Sequence, residues 1–258
     1  MKKNLVSILI TNFNKGQYLK KTIVSCLKQN FKNKEILVFD DCSTDDSLDV
    51  LNKFNSIKVI KNKKKKFKSG PLNQIYGITH LLKISKGNII FLLDSDDLFK
   101  KNKLSIIYRK FNRDKKINFL QDTPLSRYDK RKMTLKKKNF FFSIWPSFFP
   151  TSTIAIKRDF LLKFLKFLNK NKHPNLEIDA RLSIYAFLLN EFFITKKNLT
   201  IYNYDEFGIS SKYKKYSKYW WKKRNEAFDY LLYLHKKFGI SFKKGPDYYL
   251  TKIINSYF

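Results

Sequence analysis

Only two cysteines, Cys26 and Cys42, occur in 258 residues, and neither stands in a C-x-x-C pair or at metal-ligand spacing from a histidine. A zinc finger and a disulfide framework are thereby excluded. Glycine is also scarce, with seven residues, and none builds a G-x-G-x-x-G or a Walker-type loop. Phosphate must then be held by something other than a glycine-rich turn. Arginine is rare as well: the 54 basic residues include seven Arg, which leaves 47 Lys. Arginine is the residue of bidentate base and phosphate recognition, whereas lysine is a solvated point charge. The net charge of +33 is therefore read as a lysine-rich composition and not as specific nucleic-acid binding, although attraction to anionic surfaces follows from it. No apolar run reaches 18 residues, and the first one, from Leu5, stops at Ile10 without a small-residue cleavage site. The expectation is a cytoplasmic protein with some affinity for the cytoplasmic membrane face.

The most informative stretch is Asn88 to Asp97, N-I-I-F-L-L-D-S-D-D. A short apolar run of branched and aromatic residues reads as a strand buried on both faces. Asp94, Asp96 and Asp97 follow where that strand leaves the sheet, the position at which open parallel sheets bind ligands. Carboxylates crowded there repel unless a cation sits among them, and oxygen donors of this kind suit Mg²⁺ or Mn²⁺. A bland alternative is that Asp96 and Asp97 cap the next helix.

The rest of the first half alternates strand and helix. Leu5 to Ile10 is a strand, and Asn14 with Gln17 has the spacing of a capping box before a helix carrying Leu19, Ile23 and Cys26. Glu35 to Asp40 is a second strand that again ends in acids, Asp40 and Asp41, and Ser43/Asp46 repeats the capping-box spacing. Ile57 to Ile60 is a third strand, Lys61 to Lys68 a solvated lysine loop, and Leu72 to Ser85 a helix stopped by Gly87. This βαβ spacing predicts an α/β fold with a mostly parallel sheet flanked by helices. Later come helices at Asn102–Phe111, Asp159–Leu168 and Ala180–Asn190, a basic loop at Arg127–Lys138, and an aromatic cluster at Phe140–Phe149. An edge strand is expected at Ile194–Tyr204, followed by a Tyr/Trp/Lys-rich segment from Tyr213 to Trp221 that opens a C-terminal helical region. Lysine interleaved with aromatics suits a membrane interface, sugar stacking or nucleic-acid binding, and Gly208 with Ser210-Ser211 just ahead permits the hinge of a flap.

V-S-I-L-I-T-N-F-N, D-D-C-S-T-D-D and F-L-L-D-S-D-D, in that order, resemble the motifs of glycosyltransferase family 2, the inverting enzymes of GT-A fold. The resemblance covers roughly residues 4 to 110. It implies that Thr11 and Phe13 border the nucleotide base and that Asp41 accepts a hydrogen bond from it. It also implies that Asp94 reaches the ribose and that Asp96 holds the Mn²⁺ or Mg²⁺ bridging the diphosphate. E-I-D-A-R-L resembles the family's later acidic motif and makes Asp179 the general base, with Glu177 its rival because Ile178 separates two acids that are usually adjacent. Arg181 is expected to pair with an acid or a phosphate. The implied partners are a nucleotide-sugar donor, UDP-linked by preference, and a glycan or lipid-linked acceptor. The expected organisation is a nucleotide-sugar-binding half (1–118), an acceptor and catalytic half (119–205) and a C-terminal helical extension (206–258). Competing readings are a nucleotidyltransferase, which would normally carry a glycine- and arginine-rich phosphate loop, and a basic nucleic-acid-binding module, which leaves the strand-end acids unexplained.

Overall fold

The computed structural model describes residues 4–135, 146–168, 172–204 and 213–258. At its centre is a seven-stranded sheet in the order β3-β2-β1-β4-β8-β6-β9. Its strands are β1 (Val6–Asn12), β2 (Lys34–Asp40), β3 (Lys58–Lys61), β4 (Ile89–Asp94), β6 (Phe119–Asp122), β8 (Ile154–Lys157) and β9 (Phe192–Thr195). Pairing is parallel from β3 through β4 and between β6 and β9, while β8 runs antiparallel to both of its neighbours. A small second sheet joins β5 (Leu98–Phe99), β10 (Thr200–Tyr202) and β7 (Leu125–Ser126) around β10.

β4 has the two buried faces that its apolar run predicts. Ile90 and Leu92 face one core, with Leu72, Ile78 and Leu81 of α3 (Gly70–Ile84) and Phe160 and Phe164 of α5 (Arg158–Lys166). Ile89, Phe91 and Leu93 face the other, with Leu19, Ile23 and Cys26 of α1 (Gly16–Leu27) and Leu104, Ile107 and Phe111 of α4 (Lys103–Arg113). Each such side chain contributes about 1.5–3 kcal/mol by burial, so the strand that ends in the acids is fixed from both sides. Three helices complete the second half: α6 (Ile178–Leu188), α7 (Lys218–Phe238) and α8 (Pro246–Ser256). A left-handed Gly239 (φ 66°) closes α7. Among the described residues no helix is long and apolar enough to cross a membrane.

Several local expectations are corrected. Neither capping box forms. Instead, Asn14 takes a left-handed turn (φ 51°), and its Oδ1 accepts from the Thr44 N–H at 2.8 Å. Asp45 Oδ2 reaches across to accept from Gly16 N–H at 2.8 Å, so α1 is capped from the neighbouring loop, and Asp45 Oδ1 accepts from Ser47 N–H at the start of α2 (Ser47–Asn52). A cap drawn from a loop 29 residues away leaves no short-range spacing to read. Gly87 does not end α3 by turning left-handed; a Cβ there would lie 2.6 Å from Ser7 N and 2.7 Å from Val6 C, so glycine is needed for β1 to pass. Asp96 and Asp97 do not cap α4, whose N-cap is Asn102. The single strand expected at Ile194–Tyr204 is two, β9 at the edge of the large sheet and β10 at the centre of the small one. Of the aromatic cluster, residues 140–145 lie outside the described residues, as do 136–138 of the basic loop and the flap-hinge residues Gly208, Ser210 and Ser211.

Candidate functional site

The carboxyl ends of β1, β2 and β4 open into one cleft of about 380 Å³. Thr11, Phe13, Asp41, Asp94, Asp96, Glu177 and Asp179 all line it. Residues separated by up to 168 positions are thus brought to one surface, every one of them singled out from the sequence.

The structure also divides the paired acids by task. Asp40 is buried and accepts from Asn12 Nδ2 (2.7 Å), Ser43 N–H (3.0 Å) and Ser43 O–H (2.6 Å), tying the β1 and β2 loops together. Asp41 turns to the cleft, where Asn62 Nδ2 donates to its Oδ1 at 2.8 Å. Asp97 is likewise withdrawn: fully buried, it accepts from the Asn203 N–H at 2.6 Å and anchors the end of β10. Asp94 and Asp96 remain at the surface of the cleft. A pair of adjacent acids gives no sequence signal as to which member turns inward.

Asp94 is held by two partners the sequence did not point to. Gln74 Nε2 on α3 donates to its Oδ1 at 2.7 Å, and its backbone N–H donates to Ser152 Oγ at 2.9 Å. Ser152 sits in a 3₁₀ turn (Thr151–Thr153) anchored by the fully buried Lys103. The Lys103 ammonium donates to Ser152 O (2.7 Å), Asp122 Oδ2 (2.6 Å) and Thr200 Oγ1 (2.7 Å). Lys15 joins Asp96 at 3.2 Å. Lys65, expected to be a solvated loop residue, places its ammonium 3.2 Å from the Phe13 ring centroid.

Burial, with the charges of Asp96 and Asp179 nearby, pushes the Asp94 carboxyl up to about 8. Such crowding is relieved by a cation. Among the described residues no three His, Cys, Asp or Glu side chains cluster closely enough to enclose a metal alone. Mg²⁺ and Mn²⁺ do not need such a cage, because one or two carboxylates plus substrate phosphates complete their shell. The donor set of Asp96 with Asp94 beside it fits that mode.

Asp179 and Glu177 stand at the start of α6, with Glu177 at the N-cap and Asp179 in the first turn. The helix expected from Ala180 thus begins two residues earlier, at Ile178, and Glu177 keeps extended backbone just outside it. Arg181 explains the placement. It is buried and donates to the backbone carbonyls of Lys172 (3.0 Å), His173 and Leu176 (2.9 Å), not to an acid or a phosphate. It thereby folds the turn that presents both acids. Glu226 on α7 grips the same turn through the Asn175 N–H at 2.7 Å. Glu177 is ion-paired with Lys223. Burial and the Glu177 charge push the Asp179 carboxyl up to about 7, against the opposing pull of Lys223 and the Ala180 N–H.

A second cavity of about 320 Å³ adjoins the cleft, sharing Glu177 and Asp179 with it. Phe148, Tyr213, Trp220, Lys223 and Arg224 line its far side. The Tyr213–Trp221 segment therefore divides: Trp221 is buried in helix packing, whereas Tyr213 and Trp220 face this cavity.

Residues 7–178 match the family model described as Glycosyl transferase family 2. An Escherichia coli protein named UDP-Glc:alpha-D-GlcNAc-diphosphoundecaprenol beta-1,3-glucosyltransferase WfaP is 41% identical over 103 residues, 39% of this chain and 39% of that protein. An uncharacterized glycosyltransferase of Haemophilus influenzae is 28% identical over 201 residues, 72% of this chain and 71% of that protein. The solved structures of Staphylococcus aureus TarS 1-349 with UDP-GlcNAc (TM-score 0.66, 16% identity, covering 98% of this chain and 71% of that one) and of a Pyrobaculum calidifontis mannosyltransferase with GDP-Man and Mn²⁺ (TM-score 0.61, 11% identity, 97% and 68%) share the fold. The chain belongs to glycosyltransferase family 2, and its fold is GT-A. It spans about two fifths of the length of the E. coli relative.

Proposed function

We propose that the chain transfers a sugar from a UDP-linked donor to a glycan or lipid-linked acceptor, with inversion and with Mn²⁺ or Mg²⁺ at Asp96. The observation that carries this reading is a single cleft lined by Phe13 and Asp41, by the Asp94/Asp96 pair, and by Asp179, whose carboxyl is pushed up to about 7. Phe13 covers the base, and Asp41 Oδ2, which has no hydrogen-bond partner among the described residues, accepts the imide N–H of uracil. Asp94 takes the ribose. The cation supplies charge neutralisation for the departing diphosphate, and Lys15 and Lys65 add positive charge at the same end. Asp179 accepts the acceptor hydroxyl's proton, for which a group titrating near the working pH is well matched. Glu177 is the weaker choice, because its ion pair with Lys223 occupies it. One displacement inverts the anomeric centre, so no second nucleophilic carboxylate is required.

The division of labour follows: residues 1–118 bind the donor, 119–205 supply the acceptor side and base, and 206–258 are a helical extension. The second cavity would receive the acceptor, its aromatic rings stacking on a sugar. The UDP-linked donor is supported by the UDP-Glc in the E. coli relative's name and by the UDP-GlcNAc held by TarS.

A thermal-shift series of UDP, GDP, CDP and ADP with and without Mn²⁺ tests the reading, because ligands of the native state raise its stability. UDP with Mn²⁺ should raise the melting temperature most, and Asp96→Ala should abolish the metal's share. Equal stabilisation by UDP with and without metal would overturn it.

A further inference from the structure

Helix α8 is packed inside out. The face it turns to α7 is largely polar. Arg224 donates to Asp247 Oδ2 (2.8 Å) and to Thr251 Oγ1 (3.0 Å). Lys252 donates to Asn225 Oδ1 (2.7 Å) and Asp229 Oδ1 (2.6 Å), and Asn255 Nδ2 donates to Trp221 O (3.0 Å). Tyr248 is the main apolar contribution to that face, edge-on to Phe228. The opposite face carries Tyr249, Leu250, Ile253 and Tyr257, which are 54%, 52%, 57% and 82% exposed. Their spacing is that of a single helical stripe. A helix on a water-bathed surface normally shows the reverse arrangement. Tyr216 and Tyr219, around the start of α7, are exposed as well.

The charge around this stripe selects its partner. Residues 213–258 contain eleven Lys and Arg against three acids. All three acids are engaged: Glu226 with Asn175, Asp229 with Lys252 and Asp247 with Arg224. Lys214, Lys215, Lys218, Lys222, Lys243 and Lys244 are exposed, and Lys218 lies 5.1 Å from the Phe258 ring centroid. A two-fold contact between copies of this chain would set the same lysine-rich patch against itself, which like-charge repulsion opposes. An anionic bilayer offers what both parts need. Its headgroups meet the lysines, and the boundary with its acyl chains takes up tyrosine, leucine and isoleucine.

We infer that the outer face of α8, with the lysines around it, is a docking surface for an anionic lipid bilayer. It stands independently of the glycosyl-transfer reading, since none of its residues lines the donor cleft. The two are nevertheless linked structurally. Arg224 ties α8 to α7 and also lines the second cavity, so docking through α8 would hold that cavity near the membrane, where a lipid-linked acceptor resides.

Co-sedimentation of the full chain with vesicles of phosphatidylcholine alone, or mixed with phosphatidylglycerol, tests the inference, with oligomeric state measured by light scattering. The wild type should bind the mixed vesicles and not the neutral ones. Leu250→Glu with Ile253→Glu should weaken that binding about tenfold or more while leaving the melting temperature unchanged. Leu250→Ser with Ile253→Ser provides the same comparison should the glutamate pair fail to fold. A tryptophan placed by Ile253→Trp should be quenched by brominated lipid. Absence of vesicle binding by the wild type, or binding unaltered by both pairs, would overturn the inference. So would a wild-type dimer that either pair converts to monomer, since the stripe would then be an interface between copies.

Discussion

Replacing Glu177 by glutamine should move the acid limb of the pH–rate profile to lower pH. The base role proposed for Asp179 requires the ionised form, and burial plus the Glu177 charge hold its carboxyl up to about 7. Activity in the wild type should therefore fall as pH drops through that region. Glu177→Gln changes two things in the same direction. It removes the like charge, and it releases Lys223 from its ion pair, so the ammonium's attraction for the Asp179 carboxylate is no longer shared. Removing one neighbouring charge is worth about one pKa unit or more. For a group titrating at about 7, roughly one molecule in thirty is ionised at pH 5.5, and about one in four after a one-unit fall. The rate at pH 5.5, expressed as a fraction of the plateau, should then rise about eightfold. The plateau itself should drop a few-fold, because a weaker base transfers the proton less well. kcat with saturating donor and acceptor, measured from pH 5 to 9, reads both effects. A limb that stays in place or moves upward would refute the reasoning. Collapse of kcat at every pH would show that Glu177 is itself the base.

Two other outcomes follow from the same contacts. Lys103→Met should leave Asp122 as an uncompensated buried charge and loosen the turn that holds Asp94; a loss of about 3–5 kcal/mol is expected, seen as a lower urea midpoint, and an unchanged midpoint would contradict the network. Trp220→Ala should raise the acceptor KM about tenfold through lost stacking while UDP stabilisation with Mn²⁺ is retained; a change confined to donor binding would remove the second cavity from the acceptor's path.

The parts of this molecule that were legible in its sequence are those fixed by short-range pattern. The β4 run shows both of its buried faces because all five of its apolar side chains enter a core. The strand-end acids and the α6 acids were likewise visible as motifs, and the cleft gathers Asp41, Asp94, Asp96, Glu177 and Asp179 from them, with Thr11 and Phe13 from the end of β1. What escaped depends on contacts between distant positions. Asp45 caps a helix in another unit, Lys103 is a lysine with no exposed surface among dozens that are solvated, and Arg181 spends its donors on carbonyls of a turn. Glycine misled in the same way. Gly87 stands where a helix stop is expected, but β1 is what requires it, since an added Cβ would lie 2.6 Å from Ser7 N. The inverted polarity of α8 could not be inferred either, since an amphipathic pattern states that two faces differ without saying which one is covered.

The most direct test of the account is Asp179→Asn, with turnover of a UDP-sugar and binding of UDP–Mn²⁺ measured on the same preparation. The change removes the proposed base and nearly preserves shape. Turnover should fall by roughly 10²- to 10⁴-fold while nucleotide affinity survives. Near-normal turnover accompanied by a lower melting temperature would contradict the account, reducing Asp179 to a residue that stabilises the start of its helix.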